Sequence, residues 1–557
     1  MNVKQEIEKL IKNIVKDSES SFLVEIPAEK SHGDYSCNVA LVLSKSLGKN
    51  PREVAEDVVS KIKNNKLFEK VEVAGPGFIN FYLAKNVFLD NLKLVLKQGD
   101  KFGRNQNLKN KKILVEHTQP NPFKEFHIGH LMNNTVGESV ARILKSSGAN
   151  VKTASYHGDV GLHVAKAIWG MMSGKNWESA YSFGSKSYEE AEEELGAKKE
   201  IDEINQKIYS KSDPKINDIY QEGRKVSIAY FDEIYKKLDT NIDHHFYESE
   251  VAEPGKKLVL ENVGKVFEKG EGGAVIFKGE NFTPKTHTRV FLTSDGLPTY
   301  EAKELGLAKV KKDWFKYDSS ITITANEQDS FFDVTEVAIG EVFPAIKGKL
   351  RHLSHGLLKF SSGKMSSRTG NVITFESLLG ETENLVREKM KGRELSEKEK
   401  NEIAKKVAIG ALKYLILKQS IGRDIIYDAN KALSFEGDSG PYLQYSLTRA
   451  LSVLKKAASE KIKAGFKKTP NELSDLERMI HYFPEIVEKA GNDLEPHHIA
   501  IYLTEVAGQF NSYYAKNKII DLENKDLSSY RVALIEAFLI IMKNGLQLLG
   551  ISALEKM

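Results

Sequence analysis

Residues 112–130 have the sequence KILVEHTQPNPFKEFHIGH, in which a short apolar run leads through two prolines to a histidine pair. The run Lys112–Glu116 predicts a buried strand. A helix is predicted from about Gly129 to Lys145, because apolar residues recur there at helical spacing. A second strand is predicted at residues 151–156. Strand, helix and strand in this order form a βαβ unit, which typically opens a parallel sheet.

The start of this helix predicts a phosphate-binding site. A helix N-terminus offers unpaired N–H groups and the positive end of the helix dipole. Gly129 has no side chain, so a flat adenine ring could approach the backbone there. The imidazoles of His127 and His130 can donate hydrogen bonds to phosphate oxygens whose charge grows in the transition state. The structural alternative is a pair of helix-capping histidines that happen to flank a glycine.

A second candidate loop lies far downstream, with the sequence Ser361-Ser362-Gly363-Lys364-Met365-Ser366-Ser367-Arg368-Thr369-Gly370. A Gly/Ser-rich loop that carries lysine and arginine can close on a triphosphate and neutralise departing pyrophosphate. The same composition also suits a flexible basic loop. The order and spacing of the two signatures are more specific than either alone, and they predict an enzyme that binds ATP and activates a carboxylate by adenylation.

Composition narrows the class of protein. A length of 557 residues predicts three to four domains. The 81 basic and 77 acidic residues nearly balance, so charge neither demands nor excludes a nucleic-acid partner. Cys37 is the single cysteine, which excludes an internal disulfide and a cysteine-based zinc cluster and fits a reducing, cytoplasmic setting. No apolar run approaches ~18 residues, so we expect no membrane span.

Three regions differ in their patterns. Residues 1–105 begin with an amphipathic helix and end in a strand, turn and strand over 71–83, which indicates an α+β domain. Residues 106–374 contain the βαβ unit and predict a Rossmann-type parallel-sheet domain with a charged insertion around 173–285. Residues 375–557 are helical almost throughout and predict an all-α bundle. The expected fold class is therefore α/β, flanked by an α+β N-terminal domain and a C-terminal helical bundle.

These motifs resemble the class I aminoacyl-tRNA synthetases, specifically the arginyl-tRNA synthetase family, over essentially the whole chain. Residues 115–130 follow the family's extended HIGH signature, and residues 364–368 follow its KMSKS signature. Three further segments resemble family patterns: Gly158-Asp159-Val160-Gly161, Phe435–Tyr445 with its GPYLQY core, and Arg531–Ala537 in the DALR-type bundle.

The resemblance implies a reaction and a set of partners. L-arginine and ATP would give arginyl-adenylate and pyrophosphate, and the arginyl group would then pass to the 3′-terminal adenosine of tRNA(Arg). ATP would arrive with Mg²⁺ as a substrate complex, and we expect no tightly bound, protein-ligated metal. We also expect a cytoplasmic monomer without membrane contact.

The resemblance also implies residue roles. Catalysis would rest on His127, His130, Lys124 and Lys364. ATP would contact His127, Gly129, His130, Lys364, Ser366 and Ser367. Arginine would contact Glu116, Gln119, Asn121, His130, Tyr300, Glu304 and Gln328. A planar guanidinium with five donors is well read by carboxylates and a phenol at fixed angles. No nucleophilic side chain is needed, because the substrate carboxylate itself attacks the α-phosphate.

Two positions depart from the family pattern. Tyr300 is followed four residues later by Glu304, where the family usually has aspartate, so the carboxylate is one methylene longer. The second lysine of the KMSKS pattern is replaced by Ser367. In family members with this gap, a lysine just before the histidine pair is thought to compensate, and Lys124 occupies that place. Arg368 is a second candidate for the missing charge.

Contact with tRNA is expected from both ends of the chain. The N-terminal domain, residues 1–105, would approach the tRNA elbow, and residues 375–557 would form a helical stem and the anticodon-binding bundle. Within the bundle, Tyr442, Tyr445 and Met557 would contact tRNA, since aromatic rings stack on unpaired bases. The two tyrosines could instead belong to the bundle core.

Two other functions are compatible with parts of this pattern. One is an adenylyltransferase for a smaller substrate, which would need neither the N-terminal region nor the helical C-terminal third. The other is a tRNA-binding paralogue without catalysis, which would not need intact His127, His130 and Lys364.

Overall fold

The computed structural model describes residues 2–16, 21–62, 65–191, 196–360 and 373–557. The candidate ATP residues Lys364, Ser366 and Ser367, together with Arg368, lie outside the described residues.

The N-terminal region is an α+β unit. Its four strands form an antiparallel sheet in the order β1-β2-β4-β3. The strand, turn and strand predicted over 71–83 is confirmed by the pairing of β3 with β4. The elements are α1 Val3–Val15, β1 Val24–Glu25, β2 Tyr35–Cys37, α2 Val39–Leu47, α3 Pro51–Ile62, β3 Phe68–Ala74, β4 Phe78–Leu83 and α4 Lys85–Gln98.

The middle region is built on a five-stranded parallel sheet, which confirms the predicted Rossmann-type fold. The strand order is β12-β11-β5-β6-β7, and all neighbours are parallel. The strand β5 lies at the centre because Ile113, Leu114 and Val115 are buried on both faces. The strands are β5 Lys112–Glu116, β6 Asn150–His157, β7 His244–Tyr247, β11 Ser319–Ala325 and β12 Leu350–His355, and the first crossover helix is α5 Ile128–Ser146.

The predicted insertion around 173–285 is not a single separate unit, because part of it belongs to the main sheet. Its middle contains β7, which pairs with β6 and completes the main sheet. Four helices precede β7: α6 Leu162–Met172, α7 Trp177–Glu190, α8 Ala197–Ser210 and α9 Pro214–Lys237. After it come α10 Glu248–Glu261, a small antiparallel sheet of β8 Glu268–Lys269, β9 Val275–Lys278 and β10 Thr288–Leu292, then α11 Tyr300–Trp314. With only four residues, β7 carries too little alternation to be recognised in sequence.

The C-terminal region is an all-α bundle with one short exception. The strand β14 Ile425–Tyr427 pairs in parallel with β13 Leu358–Phe360, although no strand is predicted after residue 375. The remaining helices are α12 Asp329–Val342, α13 Phe375–Lys389, α14 Glu397–Leu417, α15 Ala429–Ala432, α16 Gly440–Ser459, α17 Asp475–Asp493, α18 His497–Lys516 and α19 Lys525–Leu548. Within the described ranges, every helix is too short or too polar to cross a membrane.

The end of the bundle packs directly on α5. Ser139 donates a hydrogen bond to the Leu548 carbonyl at 2.9 Å, and Arg142 donates to the Gln547 carbonyl at 3.0 Å. The buried ammonium of Lys413, on α14, donates to the carbonyl of Gly550 at 2.8 Å. The helix that begins with the histidine pair is therefore supported from the far end of the chain.

Candidate active site

The candidate site lies at the carboxyl edge of the main sheet, where the chain changes direction. From β5 the sheet grows through β6 and β7 on one side and through β11 and β12 on the other. Open α/β sheets bind ligands at such a switch point, between the ends of the two diverging strands. The loop with the histidine pair follows β5. Gln328 ends the short 3-10 turn that follows β11, and its side chain is exposed.

The two histidines cap α5 and each other. The Gly129 N–H donates to His127 Nδ1 at 3.1 Å, and the His127 N–H donates to His130 Nδ1 at 3.1 Å. A backbone N–H can only donate, so both Nδ1 atoms are unprotonated. The Nε2 atom of each neutral ring therefore carries the hydrogen. The rings stack with centroids 3.6 Å apart. The capping alternative raised from the sequence is thus present, and it leaves each Nε2–H as a donor.

The absence of a side chain at Gly129 has a local reason. A Cβ there would stand 2.9 Å from His127 Cε1 and 3.0 Å from His127 Nδ1. The imidazole of His127 occupies the space that any other residue would need. The glycine therefore permits the cap itself, in addition to the proposed approach of adenine.

Both histidines are held neutral at physiological pH. Burial, and secondly the charge of Lys124, lowers the pKa of His127 to about 4. Burial also lowers the pKa of His130 well below its usual value, with smaller contributions from His127, His157 and Lys124. A neutral imidazole donates from Nε2 without adding a charge of its own, so the pair can bind phosphate independently of pH above about 6.

Lys124 is close to both histidines. Its ammonium lies 4.4 Å from the centre of the Tyr181 ring on α7, a distance typical of a cation–π contact. Among the residues that the structure describes, the lysine is therefore held by an aromatic face rather than by a carboxylate. Such a contact leaves its full positive charge available to a phosphate.

The loop between β5 and α5 is held in an unusual conformation. Thr118, Gln119 and Phe123 have φ values of +77°, +53° and +66°, which non-glycine residues seldom adopt. His157, at the end of β6, donates from Nδ1 to the Pro120 carbonyl at 2.6 Å. The Asn121 side chain accepts the Gly158 N–H at 3.1 Å. Contacts from β6 and from the turn after it thus hold this loop at the sheet edge.

The predicted guanidinium ligands Glu116 and Glu304 lie together, but a lysine is between them. The Lys311 ammonium is 2.8 Å from Glu116 Oε2 and 3.7 Å from Glu304 Oε1. The fourth side chain in this group is Gln119, which donates to Glu116 Oε1 at 2.9 Å. Tyr300 is on α11, the helix that carries Glu304 and Lys311, and it is 68% exposed. The sequence reasoning did not identify Lys311, whose position seven residues after Glu304 puts it on the same helix face.

A further buried carboxylate, Glu248, was missed by the sequence reasoning. Glu248 begins α10 directly after β7, so it also lies at the carboxyl edge of the sheet. Its Oε1 accepts from Lys303 at 2.5 Å. A Cβ built on Gly158 would lie 2.8 Å from Asn121 Oδ1 and 3.2 Å from Glu248 Oε2, so these two groups meet over the glycine. Recognition of β7 in the sequence would have pointed to Glu248, because Glu248 directly follows that strand. Residues 244–247 were instead expected to belong to the charged insertion.

A separate groove lies in the helical bundle. It has a volume of about 600 Å³ and is lined by Tyr445, Arg449, Tyr514, Lys455, Lys456, Lys556 and Met557, among others. The guanidinium of Arg449 lies 4.6 Å from the Tyr445 ring centre and 5.4 Å from that of Tyr514. Tyr442 is on the same helix but outside this lining, and its hydroxyl accepts from Asn511 at 3.1 Å. Of the two predicted tyrosines, Tyr445 faces the groove.

A parallel sheet whose first crossover helix begins with the histidine pair is the catalytic fold of the class I aminoacyl-tRNA synthetases. A family model described as "tRNA synthetases class I (R), catalytic domain" matches residues 91–429. Models of the arginyl-tRNA synthetase N-terminal domain and of the DALR anticodon-binding domain match residues 1–83 and 443–557. The chain belongs to the arginyl-tRNA synthetase family.

Individual relatives agree with this assignment. The chain is 32% identical to the arginine–tRNA ligase of Fusobacterium nucleatum, with 96% of this chain and 95% of that protein covered. It is 30% identical to the arginine–tRNA ligase of Clostridium perfringens, with 100% and 98% covered. The arginyl-tRNA synthetase structure of Thermus thermophilus has the same fold, with a TM-score of 0.77, 23% identity and complete coverage of both chains.

Proposed function

We propose that this chain is an arginine–tRNA ligase. It would join L-arginine to ATP as arginyl-adenylate, release pyrophosphate, and transfer the arginyl group to the 3′-terminal adenosine of tRNA(Arg). The observation that carries the proposal is the neutral histidine pair on α5 at the switch point of the sheet, in a chain of the arginyl-tRNA synthetase family.

ATP would lie along the start of α5. The Nε2–H groups of His127 and His130 would donate to its phosphates, and the backbone at Gly129 would face the adenine. The arginine carboxylate oxygen would attack the α-phosphorus, and pyrophosphate would leave with Mg²⁺. The rate then depends on fixed donors and cations around the phosphates.

The leaving pyrophosphate needs cationic partners. Lys364 would provide one from the downstream loop, where Ser366 and Ser367 would also contact ATP. Lys124 would supply the charge that the loop lacks at Ser367. Its nearness to both histidines supports this role: burial is the main cause of their lowered pKa values, and the positive charge of Lys124 lowers them further.

Arginine would lie between Asn121, beside Gly158, and the carboxylates Glu116 and Glu304. Asn121 and Gln328 would hold the α-amino and carboxylate end. Tyr300 and Glu304 would recognise the guanidinium, as would Glu116, with Gln119 and His130 at the border of the site. To this predicted set we add Glu248, whose Oε2 faces Asn121 across Gly158. A buried carboxylate with one oxygen near Asn121 suits a guanidinium N–H.

The tRNA would bind along the helical bundle and the N-terminal domain. Tyr445 and Met557 line the basic groove and would contact the anticodon loop, whereas Tyr442 would support the groove from its partly buried position. Bases stack on aromatic and guanidinium faces, and Arg449 lies beside the two rings of this groove. The cytoplasmic, monomeric state stays a prediction.

Amino-acid-dependent ATP–pyrophosphate exchange tests the proposal. Exchange should require arginine among the twenty amino acids, and we expect it to need tRNA as well. Activation of a different amino acid would overturn the proposed specificity. Exchange that needs neither tRNA nor the N-terminal and C-terminal regions would favour an adenylyltransferase for a smaller substrate. A complete lack of exchange would favour a paralogue that binds tRNA without catalysis.

A matched pair of variants tests the arginine pocket. Glu248→Gln should raise the arginine KM about tenfold or more, because it removes a charge-assisted hydrogen bond. The control is Glu250→Gln, two residues further on, where the side chain is 54% exposed. Equal arginine KM values in both variants would refute the role of Glu248.

A further inference from the structure

A buried lysine lies inside the acidic cluster of the amino-acid pocket. Lys311, in the last turn of α11, is only 4% exposed at its side chain. Its ammonium is 2.8 Å from Glu116 and 3.7 Å from Glu304. A buried cation at this place is costly unless it is paired. Both carboxylates were expected to serve a substrate guanidinium, yet the chain already supplies them with a cation.

The charges around the pocket are nearly balanced by the chain itself. Lys303 pairs with Glu248 at 2.5 Å, and Arg224 pairs with the fully buried Asp159 at 3.3 Å and with the half-exposed Glu250 at 3.7 Å. Lys311 then faces two carboxylates. Within the described residues, Lys311 is the cation paired with both Glu116 and Glu304, so this group of three side chains keeps one negative charge, and a guanidinium carries one positive charge.

Lys311 is also connected to the strained loop before α5. Glu116 accepts from Gln119 Nε2 at 2.9 Å, and Gln119 Oε1 accepts from Asn133 on α5 at 3.4 Å. Gln119 has a φ of +53°, so its conformation must be maintained by contacts of this kind. The lysine therefore acts on the loop through Glu116.

We infer that Lys311 is a positioning residue for the amino-acid substrate: it holds Glu116 and Glu304 in place as carboxylates, so that the pocket keeps one unbalanced negative charge for the guanidinium. This inference rests on the proposed arginine specificity and extends it. Lys311 itself contacts no substrate in this account.

The protonation state of Glu304 makes the inference testable. Burial raises the pKa of Glu304 to about 7, Lys311 opposes that rise, and Glu116 adds to it. Loss of Lys311 should therefore raise the pKa of Glu304 further, by roughly one unit or more. Below that pKa Glu304 is neutral, and the pocket loses its unbalanced charge.

Other charged or titratable groups face Lys311 from the surrounding elements. Tyr317, before β11, lies near Lys311, and Tyr156 on β6 lies near its partners Glu116 and Glu304. Glu336 on α12 and Arg351 on β12 line a cavity of about 20 Å³ together with Lys311 and Glu304. Burial raises the pKa of Glu336 to about 7 as well, so a variant at Glu304 is needed to assign the titration.

The experiment measures kcat/KM for arginine from pH 6 to 9 in the tRNA-dependent exchange reaction. The proteins are the wild type, Lys311→Met, Glu304→Gln and the double variant. For the wild type we expect kcat/KM to rise with pH through a step near 7. For Lys311→Met the step should move up by roughly one unit or more, with the ATP KM unchanged. Both proteins with Glu304→Gln should lack the step.

The outcomes are distinguishable. An unshifted step in Lys311→Met, or a step that persists with Glu304→Gln, would overturn the role of Lys311. If Lys311→Met does not fold, Lys311→Gln is compared instead, because it keeps a hydrogen-bond donor beside both carboxylates but removes the charge, and an unshifted step in that variant would equally overturn the role of Lys311. Activation of an amino acid other than arginine by the wild type would overturn the proposed function, and the pH comparison could then be made with that amino acid.

Discussion

Replacing Gly129 by alanine should separate catalysis from stability. The new Cβ would lie 2.9 Å from His127 Cε1 and 3.0 Å from Nδ1, so the imidazole has to turn away. Turning breaks the hydrogen bond from the Gly129 N–H and disturbs the stacked ring of His130. The phosphate site would then lose at least one fixed donor.

The two effects have different magnitudes. Loss of an N-cap bond costs about 1 kcal/mol, while alanine in place of glycine favours a helix by up to about 1 kcal/mol. The free energy of unfolding should therefore change by less than about 1 kcal/mol. Removal of one preorganised donor from a transition state lowers kcat by about 10²- to 10³-fold.

The assay is arginine-dependent ATP–pyrophosphate exchange, combined with denaturant unfolding of the same samples. Gly380→Ala is the matched control, because Gly380 lies inside α13 and a Cβ there would meet no atom within 4 Å. It should gain up to about 1 kcal/mol of stability and keep full activity. Full activity in Gly129→Ala, or a loss explained by unfolding, would refute this account of the histidine cap.

Three further variants or conditions test other parts of the site. Lys124→Ala should lower the adenylation rate roughly ten- to a thousand-fold, because one transition-state charge contact is lost. Tyr445→Ala should weaken the use of tRNA in aminoacylation and leave arginine binding nearly unchanged. As the pH is lowered from 7.5 to 5.5, the free energy of unfolding should fall more steeply in the wild type than in His157→Gln. Burial lowers the pKa of His117 to about 4 and that of His157 to about 3, so the unfolded chain takes up protons that the folded chain does not.

Each of these expectations has its own control. For Lys124, the exposed Lys109→Ala should have no effect, and a normal rate in Lys124→Ala would eliminate the compensation for Ser367. For Tyr445, phenylalanine should preserve tRNA use because the ring is kept, and a change confined to the arginine KM would contradict the role. Each buried histidine should contribute about 1.4 kcal/mol per pH unit below 6.5. In denaturant titrations, an equal pH dependence in the wild type and His157→Gln would show that this imidazole is not held neutral, because the raised pKa values of Glu304 and Glu336 act equally in both proteins.

Local patterns in the sequence were sufficient for the fold class and for placing the histidine pair at the start of α5. The βαβ unit over residues 112–157 follows from hydrophobic periodicity, because strand and helix have different periods that a short window can show. The histidine pair follows from its place at a helix start, where unpaired N–H groups are unavoidable. The family relationship follows from motifs that keep their order along the whole chain.

The tertiary structure was needed wherever partners are far apart in sequence. Glu116 and Lys311 are 195 positions apart, and nothing local shows that a helix and a central strand bring them within 2.8 Å. The reason for Gly129 depends on one rotamer of His127, and the role of Glu248 depends on a four-residue strand. Periodicity predicts which face of an element is buried, but the charges that meet across a pocket are decided by how the elements pack.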